Sequence, residues 1–144
     1  MPEPYRQLLN LLKPIVTGLP TTGADVFESM VDALEASTMP ALALQPREED
    51  IAELFASSDG PGDLEGRRLV VELVTLATSL IDRDDSALEV KTAVMQSGIG
   101  KLRRYLGTRF EERSEGDRIT YALIQRFEFL YFVESTTPGV IQQG

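Results

Sequence analysis

Neither histidine nor cysteine occurs anywhere in the 144 residues. Without an imidazole there can be no Ser-His-Asp triad, no imidazole general base, no phosphorylatable histidine of a phosphorelay bundle and no histidine-containing zinc site. Without a thiol there is no cysteine catalysis, no zinc ribbon and no disulfide framework, which suits a reducing compartment. The Glu-x-x-His pairs of a di-iron bundle cannot be written either. Long apolar runs are also missing: nothing approaches the roughly 18 residues that span a bilayer. The opening Met1-Pro2-Glu3-Pro4 has no basic region of the kind that begins a signal peptide. These absences predict a cytoplasmic protein that uses no membrane, no cofactor and no metal.

What is present is ordinary globular material. Hydrophobic residues make up 42% and charged residues 26%, enough apolar surface for a packed core in a single domain. The formal charge of −9 disfavours unspecific attraction to polyanions. The sign is uneven, however. Residues 1–63 hold three basic groups (Arg6, Lys13, Arg47) against eleven acidic ones, whereas residues 91–126 hold eight basic against four acidic.

Read for period, the chain predicts an all-α fold: a single-domain bundle of five or six helices over residues 1–135 and a short tail over 136–144. Tyr5, Leu8, Leu9, Leu12, Ile15, Val16 and Leu19 recur at helical spacing behind Pro4, with Pro14 expected to kink or divide the helix. Thr22 and Asp25 would cap a second helix bearing Phe27, Met30, Val31 and Leu34 and ending near Ser37. Met39 to Gln45, bracketed by Pro40 and Pro46, reads as a buried connector. Glu48, Glu49 and Asp50 would open a third helix with Ile51, Leu54 and Phe55 inward, stopped by the Ser58–Gly62 loop.

From Glu65 to Asp82 the apolar positions cover more than half of a helical circumference, as in a central buried helix. Ser86 and Glu89 suggest a capping box for the next helix, interrupted at Ser97-Gly98-Ile99-Gly100. A further helix would run from Lys101 to about Glu112. Asp117 would cap a last segment, Arg118 to Glu134, rich in aromatics. There Phe127, Phe129, Tyr131 and Val133 alternate as a strand would, yet a helical stripe fits as well. With no partner strand evident, helix is the reading taken.

Carboxylate-only metal chemistry survives the missing residue types, since Mg²⁺ takes oxygen ligands. The donors are sparse, though: Glu49 and Glu53 share a face, and only Glu72 could answer them. Asp82-Arg83-Asp84-Asp85-Ser86 opens like a calcium loop, but Ala87 and Ala93 stand where Gly and Glu are required. Lone Glu72 reads as the solvent edge of a buried helix in preference to a contact with an arginine. Gly98 and Gly100 at a helix start, with Lys101, Arg103, Arg104, Arg109 and Arg113 beyond, could hold an anion or nucleic acid. Leu102, Met95 and Arg103 break the P-loop and dinucleotide fingerprints, so a solvated basic face is the simpler account. Tyr121, Phe127, Phe129, Tyr131 and Phe132 are expected to be core, with a partner or homodimer interface as the alternative.

The function these observations predict is non-enzymatic: a protein–protein interaction, regulatory or assembly module whose partner is another protein or a second copy. The alternative is an accessory nucleic-acid-binding subunit using the basic stretch 101–113. A carboxylate-metal nucleotide hydrolase comes third.

Overall fold

The computed structural model describes residues 3–35, 39–51, 64–115, 118–134 and 141–142. Its elements in order are α1 (Pro4–Val16), β1 (Val26–Phe27), α2 (Met30–Glu35), β2 (Ala41–Ile51), β3 (Leu64–Ala77), α3 (Leu80–Gln96), β4 (Leu102–Glu115), β5 (Arg118–Glu134) and β6 (Ile141–Gln142). The fold is therefore mostly β, and the all-α bundle is overturned. The strands run β1-β2-β3-β5-β4 across one sheet, with β6 added to β5. Among the described strands only the β1–β2 pair is parallel. Because β5 is antiparallel to both β3 and β4, those two run the same way, joined by α3 and separated by the inserted β5.

The central misread segments, β3 and the start of β2, share one cause. A strand buried on both faces loses its alternation and becomes a continuous apolar run. From Leu69 to Ala77 every residue of β3 is buried, and its neighbours β2 and β5 flank it on both sides. Val70, Val71, Val74 and Thr75 are the β-branched residues such a strand favours. At 14 residues, β3 is long enough to satisfy a helical stripe. The supposed connector Met39–Gln45 and the helix after Pro46 are together β2, where Ala41, Leu42, Ala43 and Leu44 are fully buried. Leu54, Phe55 and the Ser58–Gly62 loop lie outside the described residues. The helix assigned to Lys101–Glu112 is β4, and the alternating aromatics of 118–134 are a strand after all.

Three helices do form among the described residues. α1 begins with Pro4 in its first turn and keeps Pro14 inside; its Leu8, Leu9, Leu12 and Val16 are buried. The second helix is reduced to Met30–Glu35, since Val26 and Phe27 pair with Leu42 and Ala43 as β1. α3 is capped by Ser79, whose hydroxyl accepts from the Asp82 amide at 3.1 Å. Glu89 therefore makes no capping box. Its carboxylate accepts instead from the Thr21 amide and hydroxyl at 2.8 and 2.6 Å, tying the loop after α1 to α3.

Two cores result. On one face, α1 and α3 pack over Leu42, Leu44, Leu69, Val71, Leu73, Phe127, Phe129, Tyr131 and Val133. On the other, α2 covers a smaller cluster of Ala43, Val74, Leu76, Ala122 and Ile124. No helix among the described residues is long and apolar enough to cross a membrane.

Candidate interaction surface

Beyond the patch under α2, that second face carries charge. Glu72 on β3 stands directly opposite Arg126 on β5, and alternation places both on the same side as Val74 and Ile124. Its carboxylate accepts from Arg47 Nε on β2 at 2.7 Å and lies 3.6 Å from Arg126 Nε. One step along, Glu128 on β5 bonds Arg68 of β3 and pairs at 3.1 Å with Arg104 of β4. Asp50 and Glu48 of β2 approach Arg68 at 3.2 and 3.5 Å. The bond to Glu128 holds the Arg68 guanidinium above its ordinary value despite some desolvation.

Glu72 and Glu128 are only 6% and 4% exposed. A buried carboxylate persists only when paired, and here each is held between two guanidiniums. Glu72 is thus in contact with arginines, though from neighbouring strands, and it does not form a helix's solvent edge. Glu49 is spoken for as well, accepting from Arg67 at 2.8 Å and from the Tyr131 hydroxyl at 2.8 Å. The carboxylates weighed as metal ligands are therefore bound to cations and a phenol, and Glu53 lies outside the described residues. No group of three or more acidic side chains suited to a metal occurs among the described residues.

The glycine-basic stretch occupies a different setting from the helix start expected of it. Gly98 and Gly100, at φ +72° and +71°, turn the chain into β4, a conformation that costs glycine little. A Cβ on Gly100 would lie 2.8 Å from the Leu130 carbonyl oxygen. The Lys101 amide donates to that same carbonyl at 2.8 Å, so it is not available to an anion. Arg103 donates to the Ile99 carbonyl at 3.2 Å, Arg104 is held by Glu128, and Arg109 lies 3.4 Å from Glu111. Register against β5 puts Arg103 on the side of α3 and Arg104, Arg109 and Arg113 on the other. The basic residues are divided between two faces and interleaved with Glu111 and Glu112. Of the aromatics, Phe127, Phe129 and Tyr131 are core, at most 1% exposed; Tyr121 and Phe132 are half-buried.

The surface that the sequence reading missed is the outer edge of β4. Fourteen residues long, β4 ends the sheet, and among the described residues no strand pairs with its far side. Leu102, Leu106 and Phe110 are exposed along it, Phe110 at 61%. An open cleft of about 390 Å³ lies between α3 and this edge, lined by Arg83, Asp84, Leu88, Lys91, Thr108 and Phe110 among others. The Arg83 guanidinium sits 5.0 Å from the Phe110 ring centroid, and Lys91 Nζ 4.0 Å from that of Tyr105. Cation–π contacts of this kind hold β4 aromatics towards α3. Beneath, Gln125 donates to the Ala87 carbonyl at 3.0 Å. The available signal was Tyr105 and Phe110 set among alternating charges, which a helical reading scatters around a cylinder.

No protein-family model matches the chain, and no curated protein does. A solved structure described as the virion of a native gene transfer agent particle contains a chain that is 19% identical. That alignment covers 85% of this chain and 90% of the other at a TM-score of 0.33, too low to carry an argument about fold or function.

Proposed function

We propose that this protein is a non-enzymatic interaction module that joins an assembly through the edge of β4. The observation that carries the reading is a 14-residue terminal strand whose outer edge has no partner among the described residues and bears exposed Leu102, Leu106 and Phe110. An unpaired row of backbone N–H and C=O groups is a template for another strand, with alternate side chains giving specificity. The arginine-held carboxylates support the non-enzymatic part, because neither is free to act as base, nucleophile or ligand. The nucleic-acid alternative loses ground, since Arg103 lies on the opposite face from Arg104, Arg109 and Arg113, and Arg104 and Arg109 are already paired with Glu128 and Glu111.

Capture from host lysate at physiological salt, using the tagged protein and a Phe110→Glu variant, tests the reading. Proteins retained by the parent should be lost by Phe110→Glu and kept by Ile81→Glu, a control on α3 at a residue 74% exposed. Retention indifferent to Phe110→Glu, or no reproducible protein on the parent, would overturn it.

A further inference from the structure

We infer that the strand received by β4 is the β4 of a second copy, paired antiparallel about a twofold axis through residues 106–109. This deepens the reading of β4 as a docking edge and rests on it. The first support is geometric. In an antiparallel pair, residues directly opposite one another present side chains on the same face. The β4–β5 register slips between Tyr105 and Gly107, leaving Leu106 as the extra residue. Across that slip, Arg103 and Tyr105 share a face with Phe110 and Glu112, while Arg104 shares the other face with Glu111.

A twofold that sets Tyr105 against the partner's Phe110 therefore also sets Arg104 against the partner's Glu111 and Arg103 against the partner's Glu112. Symmetry repeats each pairing on the other side of the axis. Both ion pairs are complementary, and the half-buried Tyr105 ring meets the exposed Phe110, beside exposed Leu88 of α3 in the cleft.

The charges also select against the alternatives. Sliding the pairing by two residues in one direction sets Arg104 against the partner's Arg113; sliding it in the other sets Arg104 against the partner's Arg109. Slips of one residue put opposing side chains on opposite faces. A parallel arrangement would align like with like throughout. Edge strands are commonly guarded by charge of one sign, which repels a second copy as much as any other strand. β4 instead carries Arg103 and Arg104 before the slip and Glu111 and Glu112 after it, spaced equally from the axis, while Arg109 and Arg113 meet uncharged positions of the second copy. That pattern admits its own copy in one register.

Single charge reversals on either side of the axis provide the test, with size exclusion coupled to light scattering as the readout. The parent should form a dimer that dissociates on dilution and weakens with salt. Arg103→Glu and Glu112→Arg each create two like-charge contacts across the axis and should each weaken the dimer about tenfold or more. Mixed one to one, the two variants should recover a dimer containing one of each, because the opposed charges are then complementary again. Both leave the Arg104–Glu128 pair intact, and circular dichroism checks that each variant folds.

The chain has no cysteine of its own, so Thr108→Cys beside the axis should lock a disulfide dimer on oxidation while Ser114→Cys does not. A parent that is monomeric at every concentration, or a dimer that neither reversal weakens and mixing does not affect, would overturn the inference. A monomeric parent whose protein capture is still lost with Phe110→Glu overturns self-pairing and leaves the docking edge standing; a monomeric parent indifferent to Phe110→Glu removes both.

Discussion

The sheet has two long strands near its borders, β2 and β4, and they treat their outer edges differently. β2 is covered at one end by the two residues of β1. Past that cover it carries Pro46, a register slip between Pro46 and Glu48, and then Glu48, Glu49 and Asp50 in succession. Proline, an irregularity and like charges are three recognised ways of making an edge unfit for pairing. β4 also has a slip, but its charges are of both signs, Arg103 and Arg104 on one side of it answering Glu111 and Glu112 on the other, and its exposed side chains include a phenylalanine. The difference teaches that charge on an edge is not one device. Charge of one sign closes an edge, whereas balanced charge chooses what may pair there.

Both border strands are nonetheless anchored alike. Each extends one arginine inward to a buried carboxylate: Arg47 to Glu72 and Arg104 to Glu128. Inner strands supply the second guanidinium, Arg126 and Arg68 respectively. The largest effect that bears on the comparison comes from stripping one carboxylate of both partners. Arg68→Met with Arg104→Met leaves Glu128 buried and unpaired, and urea denaturation should show a loss of about 3–5 kcal/mol. Adding Glu128→Gln to that pair should recover part of the loss, because no charge then remains unpaired. Equal stability of the double and triple variants would show that Glu128 is not the strained group.

A smaller and pH-dependent effect separates the two borders. On the helix-covered face, the Tyr131 hydroxyl of β5 reaches past β3 to donate to Glu49 of β2. Burial, reinforced by the adjacent carboxylate, pushes the Tyr131 phenol well above its ordinary value of 10.0. The folded protein thus holds this proton more tightly than the unfolded chain. Stability from this group is fully present below about pH 10 and falls as pH rises beyond it, by up to about 1.4 kcal/mol per pH unit. Urea midpoints between pH 9 and 11 should drop in the parent, and Tyr131→Phe should flatten that part of the profile. An unchanged slope in Tyr131→Phe would assign the alkaline loss to another group.

How far the sequence could be read follows the same physics. α1 was legible because one face of it meets solvent, so Leu8, Leu9, Leu12 and Val16 kept a helical period. The turn at Gly98 to Gly100 was legible because glycine marks positive φ. β3 was not, because burial on both faces removes the alternation that identifies a strand, leaving Leu69 to Ala77 as an apolar block. Once β3 and β4 were taken as helices, the alternation of Phe127, Phe129, Tyr131 and Val133 had no partner strand and was discounted. Glu72 was taken for a solvent edge, and the partners of Glu72 and Glu128 could not be read from order along the chain, since their arginines lie on other strands. The docking edge was hidden for the same reason: Arg103, Tyr105, Phe110 and Glu112 share a face only after the slip at Leu106.

The mildest perturbation tests the border comparison most directly. Glu48 and Asp50 are half-exposed, and their pairings with Arg68 span 3.5 and 3.2 Å. Surface ion pairs contribute about 0–1 kcal/mol each, so Glu48→Thr with Asp50→Thr should barely move the urea midpoint. The same two changes remove most of the like charge from the β2 border and add β-branched residues suited to a strand. If that charge is what closes the border, the variant should show new concentration-dependent association by light scattering, over and above any pairing through β4. Combining it with Arg103→Glu isolates the new contact, because self-pairing at β4 is then suppressed. Association in the combined variant locates the guard in Glu48 and Asp50. Its absence places the guard in Pro46 and the slip beside it, which deny a neighbouring strand a regular ladder whatever the charge.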